Sequence, residues 1–150
     1  MKLILTSIKQ KDLTTIQVDL MDKKIALDPQ KHLQFSGDFK ECNEFLGEHA
    51  TLIALTRTAE AEALELESRI AGQKAIVDGK IRNEWDPSGP KITEAAVLSL
   101  VRSNGTVQDL EKDLLSARRD TSILQGFLNA SSVKYAQVVA YLYTNSTTKQ

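Results

Sequence analysis

The chain has 150 residues, 41% of them hydrophobic and 26% charged, which suits one folded domain of ordinary soluble composition. Nineteen basic residues against twenty acidic ones leave a formal charge of −1, which excludes a polycation built to coat nucleic acid along its whole length and leaves only local patches for that purpose. The apolar run in MKLILTSIKQKD is too short for a signal peptide, and no stretch approaches the roughly twenty apolar residues of a membrane span, so neither secretion nor a membrane is expected.

Residues 1–35 read as a mixed N-terminal segment. Leu3 to Ile8 suits a short strand, while Leu13, Ile16 and Leu20 are spaced for one face of a short helix. Pro29 ends whatever precedes it, and Ser36, Gly37 and Asp38 supply the chemistry that opens a helix. Residues 36–150 then form a helical hairpin domain, with the whole chain a single folded unit.

From Asp38 to about Arg82 there is no proline, and a heptad register runs through Phe45, His49, Leu52, Thr56, Ala59, Ala63, Leu66, Ile70, Gln73 and Val77. This spacing predicts a long helix. Trp85, Asp86, Pro87, Ser88, Gly89 and Pro90 break it, because two prolines and a glycine cannot continue helical hydrogen bonding. Thr93 is placed to cap a short helix through Arg102, which Asn104 and Gly105 interrupt. Thr106, with Asp109 three residues on, resembles a cap for the final helix.

That final helix carries the strongest pattern in the chain. Val107, Leu110, Leu114, Ala117, Thr121, Leu124, Leu128, Ser131, Tyr135, Val138 and Leu142 alternate steps of three and four over about five heptads. Two long helices joined across a break fold back as an antiparallel hairpin, roughly 60 Å long at about 1.5 Å of rise per residue. Such a hairpin would set Ala59, Ala61 and Ala63 near Gly126, Ala130, Ser131 and Ser132. Between Thr121 and Tyr143 the one charged residue is Lys134, and apolar side chains point in several directions. A helix apolar nearly all round is normally buried, so homo-oligomerisation is expected through Leu124, Phe127, Leu128, Tyr135, Val138, Tyr141 and Leu142.

Catalytic patterns are weak or absent. His32 and His49 are the two histidines, and His49 falls on the seam, where a satisfied core histidine outweighs a general base or metal ligand. Cys42 reads as a small buried apolar residue, since Glu41 and Glu44 oppose the electropositive surroundings that a reactive thiol needs. No CxxC, HExxH, GxSxG or phosphate-binding glycine loop occurs. Glu60, Glu62, Glu65 and Glu67 are spread around a helix instead of converging on one point. No enzyme activity, cofactor or metal is therefore expected.

Basic residues gather near the break: Lys74, Lys80, Arg82, Lys91 and Arg102, with Trp85 beside Arg82 as a surface on which a base could stack. Lys9 with Lys11, and Lys23 with Lys24, are further pairs among the six lysines and four aspartates of residues 1–32. Each cation could meet a phosphate or serve as solubilising charge beside a carboxylate.

The run WDPSGPKITEAAVLSLVRSNGTVQDLEKDLLSARRDTSILQGFLNA resembles small helical proteins of tailed phages, with a long helix, a break, a KxTE-type short helix, a turn and another long helix. Among these are the UvsY-like recombination mediators, and the resemblance covers roughly residues 40–143 at the level of organisation. It implies a non-enzymatic, ring-forming accessory of DNA recombination or replication that binds single-stranded DNA and helps load a RecA-like recombinase. The expected location is cytoplasmic, the host cell's cytoplasm for a phage protein. The alternative reading is a helical structural or regulatory module that binds other proteins and no nucleic acid.

Overall fold

The computed structural model describes residues 4–5, 16–20, 23–27 and 33–147. Three short strands, β1 (Ile4–Leu5), β2 (Ile16–Leu20) and β3 (Lys23–Leu27), form an antiparallel sheet in that order. β2 pairs with β3 from Ile16 opposite Leu27 to Leu20 opposite Lys23, and β1 pairs with β2 at Ile4 opposite Asp19. The strand over Ile16 to Leu20 corrects the short helix expected there. A step of four fits a period of two as well as one of 3.6, and Ile16-Gln17-Val18-Asp19-Leu20 alternates apolar with polar residues and carries two β-branched side chains, which tips it to the strand. β1 falls inside the strand expected at Leu3 to Ile8. Leu3, residues 6–8, Lys9, Lys11, Leu13, Pro29 and His32 lie outside the described residues.

The rest is helical, in the expected order of long, short and long. α1 (Phe39–Glu84) opens where Asp38 Oδ1 accepts the Glu41 amide at 2.8 Å and the Ser36 hydroxyl oxygen accepts the Asp38 amide at 3.3 Å. Gly37, at φ +72°, turns the chain into that cap, in a region that a side chain would strain. α2 (Glu94–Ser103) is capped by Thr93, whose hydroxyl accepts the Ala96 amide at 3.2 Å, as the sequence indicates. α3 (Gly105–Thr147) opens two residues earlier than expected: Asn104 Oδ1 accepts the Val107 amide at 3.3 Å, and the Asn104 carbonyl accepts the Gln108 amide at 3.0 Å. Thr106 lies inside the first turn instead of capping it, and Asp109 follows it within the helix as expected.

The long helices contribute to two compact units, Met1–Ala59 with Asp120–Gln150 and Glu60–Arg119. Within each unit α1 and α3 run antiparallel. In the second, Glu67 meets Arg118 and Lys74 meets Glu111, so seven residues forward on one helix are seven back on the other. The first unit has the same relation, with His49 opposite Ser131 and Cys42 clustered with Val138.

The two seams form the core. On α1, Phe45, His49, Leu52, Thr56, Ala59, Ala63, Ile70 and Val77 are buried, and Leu66 and Gln73 are half-buried. On α3, Val107, Leu124, Ser131 and Val138 are buried, and the other seam positions are half-buried except Tyr135. Burying one large aliphatic side chain contributes about 1.5–3 kcal/mol, so this stripe is what holds the hairpin closed. In the second unit α2 adds Val97 and Val101 to Val77 and Val107, with Ile81 and Ile92 packed against them. Within the first unit, the close approach expected between Ala59 and Ser131 does not form. Ser131 faces His49, well before Ala59 along α1, while Ala61, Gly126, Ala130 and Ser132 are exposed.

Candidate functional site

The break between α1 and α2 is pinned by its own polar groups. Asp86 Oδ1 accepts both the amide and the hydroxyl of Ser88, at 2.8 and 2.7 Å, and these two donors lower the Asp86 carboxyl below its ordinary range. The Trp85 indole Nε1 donates to the Pro90 carbonyl at 2.9 Å, leaving the ring 39% exposed. Arg82 reaches back across the break. Its Nε donates to Asp78 at 2.6 Å, and its two terminal nitrogens grip Glu94 at 3.0 and 2.7 Å. A fork–fork pair of this kind raises the guanidinium pKa further, the Glu94 bonds contributing most, and holds the Glu94 carboxyl down.

The six residues singled out for nucleic-acid contact therefore divide. Lys74 is taken up by Glu111 at 2.7 Å, and Arg82 by Asp78 and Glu94. Lys80, Lys91 and Arg102 are exposed, with no ion-pair partner among the described residues. Lys80 and Arg82, two residues apart on a helix, project about 200° from each other, so Lys80 points away from α2. Lys91 lies with Trp85 at one end of α2, and Arg102 lies at the other end, where its carbonyl accepts the Gln108 side-chain amide at 3.2 Å. The Trp85 bond thus reaches the residue that precedes Lys91, while Lys80 lies on α1 and Arg102 at the far end of α2. Spacing alone could not reveal which cations carboxylates neutralise, because Glu94 and Glu111 reach them only through tertiary folding.

The first unit holds a buried polar crossing. Ser131 donates its one hydroxyl proton to the Leu128 carbonyl at 2.9 Å, so the contact of its oxygen with His49 Nδ1 at 3.3 Å assigns the proton there to the histidine. The His49 ring stacks on Tyr135 with centroids 4.7 Å apart, and Phe45 lies on its other flank at 5.5 Å. The Lys134 ammonium sits 4.5 Å from the Phe45 ring centroid, a cation–π contact in a largely buried position. Cys42 is buried nearby, and desolvation pushes its thiol pKa up despite the opposing charge of Lys134. These contacts make His49 a satisfied core histidine. Among the described residues no three His, Cys, Asp or Glu side chains converge as a metal site, and Glu67 of the acidic row is bound to Arg118.

The seven residues expected at a subunit interface also divide. Leu124 and Val138, 1% and 0% exposed, belong to the hairpin's own core and are out of reach of a second chain. Phe127, Leu128, Tyr141 and Leu142 are half-buried, with Phe35 packed edge-on against Tyr141, and Tyr135 is partly exposed above His49. The apolar side chains that α3 does turn outward are others, chiefly Leu115 and Tyr143 at 73% and Val133 at 68% exposure, with Val139 between the last two in the chain. No helix among the described residues is long and apolar enough to cross a membrane. No family model, curated protein or solved structure matches the chain.

Proposed function

We propose that this protein is a non-enzymatic, self-associating accessory of phage-type DNA recombination or replication, which binds single-stranded DNA and helps load a RecA-like recombinase in the cytoplasm. The observation that supports it is the set of exposed cations Lys80, Lys91 and Arg102 with the half-exposed ring of Trp85, on a unit whose other candidate cations are held by carboxylates. One subunit offers only a few phosphate contacts. An oligomer repeats them along one strand, so modest contacts add through effective concentration without a basic chain. Fluorescence anisotropy with labelled oligothymidine at low salt tests this: saturable binding at micromolar protein is expected, and a flat trace there sinks the mediator reading.

A second reading, a protein-binding helical module without nucleic acid, draws support from the neutralised Lys74 and Arg82 and the formal charge of −1. Its expected result is a partner protein that stays bound through nuclease treatment and high salt.

A further inference from the structure

Ala95, Leu98, Ser99 and Arg102 share one face of α2 through their spacing of three and four, on the side turned away from the buried Val97 and Val101. With Ser103 and Gln108, where the chain turns into α3, they line an open cavity of about 480 Å³, a size that suits a small ligand. Its wall at Ala95 and Leu98 is apolar, and Leu98 is 51% exposed there. Its polar lining consists of donors. The Gln108 carboxamide is fixed by its bond to the Arg102 carbonyl, which uses one of its two N–H groups, and Ser99 adds a hydroxyl. Arg102 brings a guanidinium with no ion-pair partner among the described residues, and no carboxylate lines the cavity. The acidic neighbours in the chain are engaged elsewhere, Glu94 by Arg82 and Asp109 by Lys112.

We infer that this cavity seats one nucleotide of a single strand, its phosphate on Arg102, Ser99 and Gln108 and its base against Leu98 and Ala95, an inference that rests on the single-strand binding proposed above. The lining selects the ligand in two steps. A free guanidinium among neutral donors calls for an anion, and the apolar wall beside it calls for an anion that carries an apolar body to bury. An acidic side chain of a protein meets the first demand with less than the site offers. A guanidinium fork alone satisfies the two oxygens of a planar carboxylate, whereas Ser99 on α2 and Gln108 on α3 add donors that a tetrahedral phosphate can use. Arginine, serine and glutamine are also the side chains that ordinarily meet phosphate oxygens. The base then covers the face that Leu98 exposes to water.

Anisotropy of the full chain with labelled oligothymidine, and with an abasic deoxyribose-phosphate strand of the same length, tests the seat. Leu98→Ala removes the contact with the base, and Leu100→Ala is the control, 46% exposed on the same helix and outside the cavity. Leu98→Ala should bind oligothymidine about fivefold more weakly and the abasic strand as wild type does, while Leu100→Ala should match wild type on both. Arg102→Ala should weaken binding to both strands, since it meets the phosphate that they share. Polyglutamate of matched length should not displace oligothymidine from wild type. A Leu98→Ala variant that behaves like Leu100→Ala, a loss that persists on the abasic strand, or displacement by polyglutamate overturns the nucleotide seat while leaving single-strand binding intact. A wild type that binds neither strand overturns both.

Discussion

Buried hydroxyls in an apolar seam are tolerated only when their hydrogen bonds are made, and the two in this hairpin make them differently. Thr56 donates to the Leu52 carbonyl of its own helix at 2.8 Å, a bond local to one turn. Ser131 bonds its own helix through the Leu128 carbonyl and also receives the His49 N–H from the facing helix. Replacing Thr56 with the shape-matched valine should change stability by less than about 1 kcal/mol, because the Leu52 carbonyl keeps its helical acceptor role. Ser131→Ala removes the acceptor that His49 uses across the hairpin and should cost about 1–3 kcal/mol. Urea denaturation of the two variants side by side checks this, and an equal, small effect would mean that the crossing adds nothing. The Arg82 clamp gives a pH signature. Arg82 lowers the folded-state pKa of Glu94, so the pair's stabilisation is fully present above the ordinary value of 4.5 and is lost as pH falls through the lower folded value. Thermal melts should therefore show Glu94→Gln less stable than wild type at neutral pH, with the gap closing as acid protonates the wild-type carboxyl.

Helix boundaries are decided by which side chain captures the first orphan amides, and at α3 two residues of similar capping power compete. Asn104 wins over Thr106 because the break after Ser103 is a single residue wide, with the Asn104 amide still bonded to the Val101 carbonyl. Starting α3 at Gly105 then lets Val107 reach the cluster of Val77, Val97 and Val101. Asn104→Ala should cost about 1 kcal/mol and Thr106→Ala less than about 0.5 kcal/mol, read from the shift in denaturation midpoint. The reverse order would restore Thr106 as the cap. The seams were legible because a repeat of seven over many turns has one structural meaning. The run from Ile16 to Leu20 was not, since five residues with apolar positions at even steps satisfy two periods at once. The candidate cations stood out in the sequence as residue types, but their state depended on partners such as Glu111, 37 positions beyond Lys74, which only the paired helices bring near.

Electrostatics at the scale of the whole protein separates what holds the chain together from what it binds. The ion pairs Lys74–Glu111 and Arg118–Glu67 are partly to largely exposed, so they set register more than they stabilise, and salt should move the melting temperature little. Binding to single-stranded DNA would behave in the opposite way, because each phosphate neutralised releases counterions and adds about 0.7 to the magnitude of the log–log salt slope. The two classes of cation at the break then make distinct predictions. Lys80, Lys91 and Arg102 are exposed and without carboxylate partners among the described residues, so substituting any of them with alanine should reduce the magnitude of that slope by about 0.7. Lys74→Ala should leave the slope unchanged, since its charge is already balanced by Glu111, and Arg82→Ala should leave it unchanged for the same reason at Glu94 and Asp78. Anisotropy titrations across a salt series measure all five variants on one scale. If Lys74 and Arg82 steepen or flatten the slope as much as the exposed three do, the carboxylates exchange for phosphate on binding, and the division between clamped and available cations fails.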